Sequence, residues 1–329
     1  MKAYTYGIVA IGNALVDVIA HMDDSFIEAN KSKGMVKGGM TLVDEPRANE
    51  LYGQLGPATE MSGGSAANTV ACYASLGGRA AYIGKVADDQ LGQVFTHDMR
   101  AQGVHFNSAP LLLGPSTARC MILVTPDAQR TMNTYLGACC ELTPADIDEE
   151  LIAQSAITYL EGYFFSQPSA LDAFYYAAEL AHAAGNKIAL TLSDTFCVNN
   201  HRQQFLDFII GHVDILFANE AEALALCGTD KLEDVIPFMR EHTEIAAITR
   251  SAEGSIIITK DDWISVPAVA PEKLVDTTGA GDSYAAGFLY GLTTGKDLAT
   301  SGRYGSIAAA HIIAHLGARA LKPLSELID

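Results

Sequence analysis

Basic residues are scarce in this chain. Against 39 Asp and Glu there are 21 Lys and Arg in 329 residues, a formal net charge of −18. A surface this acidic offers no basic footprint to a phosphate backbone, which excludes nucleic acid polymers and anionic membranes as partners. Long apolar runs are missing too. The longest uncharged stretch lies between Arg303 and Arg319, contains His311 and His315, and is shorter than the ~20 residues a membrane span needs. The opening Met1-Lys2-Ala3-Tyr4 leads into a strand-like run without a signal-peptide pattern, so the expected location is cytoplasmic. Cysteines number 6, none in C-x-x-C spacing, and the adjacent pair Cys139-Cys140 suits neither a structural disulfide nor zinc. They read as reduced thiols serving as small hydrophobes. Charged residues make up 18% and apolar residues 49%, too apolar for disorder and ample for a large core.

What is present is an alternation. Strand-like runs at Ala81–Val86, Ile157–Leu160, Lys187–Leu192, Val213–Ala218 and Ile245–Thr249 are separated by helical patterns. In one, Asp88 reads as the N-cap, Leu91, Phe95 and Met99 recur at i, i+4, and Gly103 closes the helix. In another, Ser169 opens a helix with Leu171, Phe174, Ala178 and Ala181 on one face, stopped by Gly185. Two long helical patterns, about 281–293 and 297–315, finish the chain. This predicts an α/β fold, a doubly wound, mostly parallel sheet flanked by helices. Two insertions break the rhythm. Residues 13–61 hold strand-like pieces at Leu15–Ala20 and Met40–Val43, and residues 112–137 hold a hairpin around Pro126-Asp127-Ala128. Together they predict a small β-rich lid on a single unit spanning 1–329. A second hairpin, Ser255–Thr259 with Trp263–Val266, is expected at the sheet edge.

The most informative stretch is Asp276-Thr277-Thr278-Gly279-Ala280-Gly281-Asp282, where a glycine turn meets a helix start. Glycines let backbone N–H groups converge, and a helix N-terminus adds about half a positive charge. Asp282 stands in the first helical turn, where a carboxylate could take a proton from an attacking hydroxyl while the N–H groups hold a phosphoryl group. The plainer reading is a helix cap after a tight turn.

That stretch resembles the C-terminal signature of the ribokinase/PfkB family of carbohydrate and nucleoside kinases. The family's N-terminal signature is matched by Gly63-Gly64-Ser65-Ala66-Ala67-Asn68, with Leu76-Gly77-Gly78 and Ile83-Gly84-Lys85 following. The resemblance spans essentially the whole chain and implies a ribokinase-like fold with ATP and Mg²⁺ as cofactors. It implies that Asp282 is the catalytic base and that Gly279, Ala280 and Gly281 form the anion hole. Asn219 and Glu222 match an N-x-x-E motif that places Mg²⁺ through water, although Asn219 also reads as a plain helix cap. Thr249, Gly254, Thr277 and the lid residue Arg130 match nucleotide-contacting positions, with Ser251 standing where the family has glycine. Asp276 and Thr278 match a monovalent-cation loop, a candidate K⁺ site.

For the acceptor, Asn13, Asp17, Gly63, Gly64, Ser65 and Asn68 match sugar-hydroxyl-binding positions; Asp accepts from neighbouring hydroxyls and Asn both donates and accepts. Within the family the chain most resembles adenosine kinases. The supporting stretches are Gly12–Asp17, Leu160–Phe165, Leu192–Phe196 and Val213–Glu220. Phe164, Phe196 and Leu136 match apolar positions around the purine, and aromatic rings stack on such faces. Thr278, by contrast, matches sugar kinases. The resemblance therefore implies ATP-dependent phosphorylation of the 5′-hydroxyl of adenosine, with a ribokinase- or fructokinase-type sugar or another nucleoside (inosine or guanosine) as the alternative acceptor, and the expected assembly is a monomer or a homodimer.

Overall fold

The computed structural model describes residues 4–127 and 129–328. Met1 to Ala3, Asp329, and Ala128 of the expected Pro126-Asp127-Ala128 turn lie outside the described residues. The strands are β1 Tyr6–Ile11, β2 Leu15–His21, β3 Met40–Leu42, β4 Ala58–Gly63, β5 Ala80–Ile83, β6 His105–Phe106 and β7 Ala118–Val124. They continue with β8 Arg130–Tyr135, β9 Ser155–Glu161, β10 Lys187–Thr191, β11 Ile215–Asn219, β12 Ile245–Thr249, β13 Ser255–Thr259 and β14 Trp263–Val266. The helices are α1 Asp24–Asn30, α2 Glu45–Gln54, α3 Ser65–Ser75, α4 Gln90–Ala101, α5 Glu149–Ala153 and α6 Pro168–Ala183. After them come α7 Thr195–His212, α8 Glu220–Cys227, α9 Leu232–His242, α10 Ala280–Thr293 and α11 Leu298–Ile312.

The apolar runs without period-2 polarity become a sheet buried on both faces. Its order is β14-β13-β12-β11-β10-β9-β1-β5-β6. It is parallel except at one edge, where β13 runs antiparallel to both β12 and β14. On one face pack α5 to α9, with Phe174, Phe205, Leu226 and Met239 buried. On the other pack α3, α4, α10 and α11, with Val70, Phe95, Phe288 and Ala308 buried. The expected core positions Leu91, Phe95, Met99, Phe174, Ala178 and Ala181 are buried, apart from Leu171, which is half-buried. Strand order reverses at β1, which lies between β5 and β9. In open α/β sheets ligands bind beyond the carboxyl ends of the strands at such a switch point.

A second sheet has the order β3-β8-β7-β2-β4. Both non-βαβ segments contribute to it. One face packs against α1 and α2 through Ile27, Met35, Ala48 and Leu51 onto Met121, Leu123 and Tyr135. The other carries Leu15, Ile19, Cys120, Ile122, Val124 and Met132.

Local details differ from expectation. The α4 cap is Asp89, whose Oδ1 accepts from Gly92 N–H at 2.8 Å, not Asp88. Helix α6 begins at Pro168, before Ser169, because proline's fixed φ suits the first turn. The segment 13–61 contains two helices besides strands. For α2 the signal was legible: Asp44 caps through Arg47 N–H at 2.9 Å, and Pro46 follows in the first turn.

Candidate functional site

Glycine geometry builds one wall. Gly64 has φ +97°, and a Cβ there would lie 2.2 Å from the Asn13 carbonyl oxygen. At Gly63 a Cβ would come within 2.5 Å of Asp17 Oδ2. Only glycine at both positions lets β4 pass the Asp17 carboxylate and turn directly into α3. On the opposite wall Gly279, at φ +76°, precedes α10 and its missing Cβ leaves room for Ala318.

The starts of α3 and α10 meet. Ser65 Oγ donates to Asp282 Oδ1 at 2.6 Å, and Asn68 Nδ2 donates to Asp282 Oδ2 at 3.0 Å. Asp282 makes no side-chain cap on its own helix, so the plainer capping reading fails. Burial pushes its carboxyl above the ordinary range, opposed by the hydrogen bonds from Ser65 and Asn68 and by the charge of Arg319. Asp17 is pushed up to about 6 by burial and by Asp282, against Arg130 and Arg319. Ser65 and Asn68 therefore hold the Asp282 carboxylate rather than standing free for an acceptor, although Asn68 Oδ1 is buried without a partner.

Of the three residues expected to form an anion hole, Ala280 spends its N–H on Thr277 O at 3.2 Å. Gly281 is exposed beside Asp282. Asn219 and Glu222 form a reciprocal capping box. The Asn219 N–H and Nδ2 donate to Glu222 at 2.9 and 2.7 Å, and Glu222 N–H donates to Asn219 Oδ1 at 2.8 Å. Burial pushes Glu222 up to about 7. Direct ligation of a metal would cost this cap. An exposed Asn219 beside a buried carboxylate fits Mg²⁺ held through its water shell, the habit of a small hard cation. Among the described residues no three His, Cys, Asp or Glu gather as a metal cage.

Arg130 is not solvated. Its Nη1 pairs with Asp276 Oδ2 and donates to Thr278 Oγ1 at 2.6 Å, tying the hairpin of the second sheet to the glycine turn. Asp276 also accepts from Gly317 N–H and Thr278 N–H, each at 3.0 Å. Burial raises its carboxyl, but these bonds and the Arg130 charge bring it below its ordinary value overall. The donors proposed for K⁺ are thus committed to a guanidinium, and Asp276 and Thr278 do not fit a resident K⁺ in this arrangement.

Thr249 and Gly254 flank the loop after β12, where Ser251 adopts φ +50°, a left-handed conformation at the position expected to be glycine. Arg250 Nε donates to Glu220 Oε2 at 3.1 Å. Thr277 is exposed and Leu136 half-buried. The two phenylalanines separate: Phe164 is 0% exposed and packs on Phe174 in the core, whereas Phe196 is 71% exposed on the first turn of α7.

Two site residues escaped sequence reasoning. Glu161, at the end of β9, accepts from Asn13 N–H, Asn13 Nδ2 and Ala66 N–H. Arg319 donates to Ser62 O at 2.8 Å, Ser62 Oγ at 2.9 Å and Ala67 O at 2.7 Å, bridging β4 and α3 beside Asp17, Asp98 and Asp282. A charge closing the apolar run Ile157–Leu160 was the available signal for Glu161. For Arg319 there was none, because its partners lie some 250 residues away.

A buried carboxylate clamped in the first turn of a helix, beside a glycine turn and at the switch point of a doubly wound sheet, is a layout suited to phosphoryl transfer. The profile of the pfkB family carbohydrate kinases matches residues 42–324. The chain belongs to this family and is an ATP-dependent kinase. Membership implies ATP and a divalent metal. The solved structure of adenosine kinase from Sinorhizobium meliloti is 51% identical, covers 98% of both chains and superposes with a TM-score of 0.90. A probable sugar kinase from Rhizobium etli CFN 42 is 46% identical over 98% of both chains, with a TM-score of 0.91. A nucleoside kinase from Methanothermobacter thermautotrophicus is 29% identical over 307 residues, 93% of this chain and 89% of that protein. No helix among the described residues is long and apolar enough to cross a membrane.

Proposed function

We propose that the chain phosphorylates the 5′-hydroxyl of adenosine with ATP, giving AMP and ADP. Asp282 takes the proton of the hydroxyl as its oxygen attacks the γ-phosphorus in line, and the bond to the β-phosphate oxygen breaks. Backbone N–H groups at the α10 start, and its dipole, stabilise the charge on the transferring group. Asn219 and Glu222 would hold Mg²⁺ through its water shell, and the cation would neutralise charge on the phosphates. Arg130 is drawn to the same region, and in the resting arrangement its charge is parked on Asp276. K⁺ forms no part of this reading.

The observation that carries the acceptor is the inner face of the second sheet. Side chains alternate along a strand, so Asp17 shares its face with Leu15 and Ile19. Cys120 lies opposite Asp17 and Ile122 opposite Ile19, with Met132 beyond Ile122. His21, Thr59, Arg130 and Thr134 share that face, but its centre, from Leu15 and Ile19 across Cys120 and Ile122 to Met132, is apolar beside Asp17, the pattern suited to a purine above a ribose. A free sugar would leave that apolar surface without an apolar partner. The second sheet then acts as a lid whose closure excludes water and limits ATP hydrolysis. A coupled assay across adenosine, inosine, ribose and fructose tests the reading; a higher kcat/KM for a free sugar would overturn it.

A further inference from the structure

Glu161 is 0% exposed, yet no cation pairs with it among the described residues. Its partners are neutral N–H donors. Oε1 accepts from Asn13 N–H at 2.9 Å and from Asn13 Nδ2 at 2.5 Å, and Oε2 accepts from Ala66 N–H at 2.8 Å. Space for it is provided by Gly12, where a Cβ would lie 2.4 Å from Oε2. Ala66 is in the first turn of α3, where a negative charge is favoured by the helix dipole. The same turn carries Ser65, and one turn on stands Asn68, the two donors that hold Asp282. Asn13 follows β1 at the switch point, and its Oδ1 lies 3.4 Å from Gln167 Nε2. Its amide is thus committed to the protein rather than turned to an acceptor.

We propose that Glu161, in its ionised form, is a positioning residue for the phosphoryl transfer: it pins the start of α3 and the Asn13 loop so that Ser65 and Asn68 hold the base Asp282 in place. The inference rests on the reading of Asp282 as the base. A fully buried carboxylate without a counter-ion is expensive, so selection of Gln or Leu at this position would be the simpler solution for stability alone. Burial pushes Glu161 up to about 7, opposed by the three N–H donors and reinforced by Asp282. The other titratable groups that sense it are Tyr159 on the same strand, Tyr82 on β5, and Tyr163, Cys139 and Cys197 from the neighbouring loops and α7. None is a cation. Protonation places an O–H among groups that only donate, and the hold on Ala66 and Asn13 weakens. A misplacement of about 1 Å at a reacting group costs roughly 10²-fold in rate.

Two measurements test this. In Glu161→Gln, kcat is expected to fall at least about tenfold with KM for ATP within threefold. The acid limb of its pH–kcat profile is expected to move to lower pH, because Glu161 no longer titrates and no longer raises Asp282. An unchanged kcat, or a lower kcat with an unmoved acid limb, would overturn the proposal. In the wild-type enzyme, local hydrogen exchange of residues 64–69, corrected for intrinsic rate, is expected to quicken as pH falls from 8 to 6, because unpinning that leaves Glu161 buried removes only the N–H donors that favour its ionised form, unlike global unfolding, which also exposes it. Flat protection across that range would equally refute it, and this readout does not depend on the variant folding. The base assignment fails separately: near-normal turnover in Asp282→Asn sinks it whatever Glu161→Gln does.

Discussion

Ser65 Oγ donates to Asp282 Oδ1 at 2.6 Å, joining the first turns of two helices 217 residues apart in the chain. With Asn68 on the second oxygen, the carboxylate is oriented before any substrate arrives. In the proposed role of base, a carboxylate whose rotamer is already locked gives up little ordering entropy at the moment of reaction.

Asp282→Ala removes the proton acceptor while leaving the helix N-terminus intact. We expect kcat to fall by roughly 10²–10⁴-fold and the dissociation constant for ATP to change little. Steady-state kinetics with isothermal titration of ATP checks both; turnover near the wild-type value would refute the assignment.

Ser65→Ala and Asn68→Ala remove donors that favour the ionised form of Asp282. Each loss raises the pKa of the base further, so the acid limb of kcat moves to higher pH. The decline in kcat at pH 8 should be about tenfold or less, smaller than that of removing the base. A limb that moves to lower pH would contradict the hydrogen-bond assignment.

Arg130 and Asp276 form a pair with side chains 8% and 6% exposed. Arg130→Met leaves a buried carboxylate without its cation, and breaking such a pair costs roughly 3 kcal/mol. Calorimetry should record a clear drop in Tm. Because the Arg130 guanidinium already sits on Asp276 and Thr278, replacing K⁺ by choline at constant ionic strength should leave kcat within about twofold. A large K⁺ activation would contradict that commitment of Asp276 and Thr278 to Arg130.

Stability should fall as pH rises from about 5 to 8. Folding raises Glu161 to about 7, Glu222 to about 7 and Asp17 to about 6, in each case mainly through burial. In the unfolded chain these carboxyls lose their protons near 4 to 4.5. Between those values the folded state binds more protons, so raising pH favours unfolding. Their stabilising protonation is fully present below about 4 and lost through about 7. For a shift the size of that of Glu161 the change is of the order of 3 kcal/mol. Melting temperatures at pH 5, 6, 7 and 8 check it; a Tm rising across that range would contradict the burial of these groups.

Much of this was legible in one dimension. Period and punctuation disclosed β12, β13 and β14 to the residue, because Ile245–Thr249 and the hairpin beyond it are bounded by turn residues. Adjacent acids defeated the same reasoning at α4, where Asp88 and Asp89 are equally good caps by type and only the backbone decides that Asp89 meets Gly92. Phe164 and Phe196 looked alike as aromatics after strands, yet one closes the core and the other faces solvent.

The order of residues by itself determined the α/β class, the glycine turn before α10 and the presence of a carboxylate in its first turn. These follow from local periodicity and from backbone conformations that only glycine adopts freely. The tertiary structure decided what each polar group does. Asn13 and Ser65 turn to Glu161 and Asp282, and Arg130 turns to Asp276, because a buried donor or acceptor must find its partner wherever the fold brings one near. Such pairings join segments more than a hundred residues apart, and no local pattern encodes them.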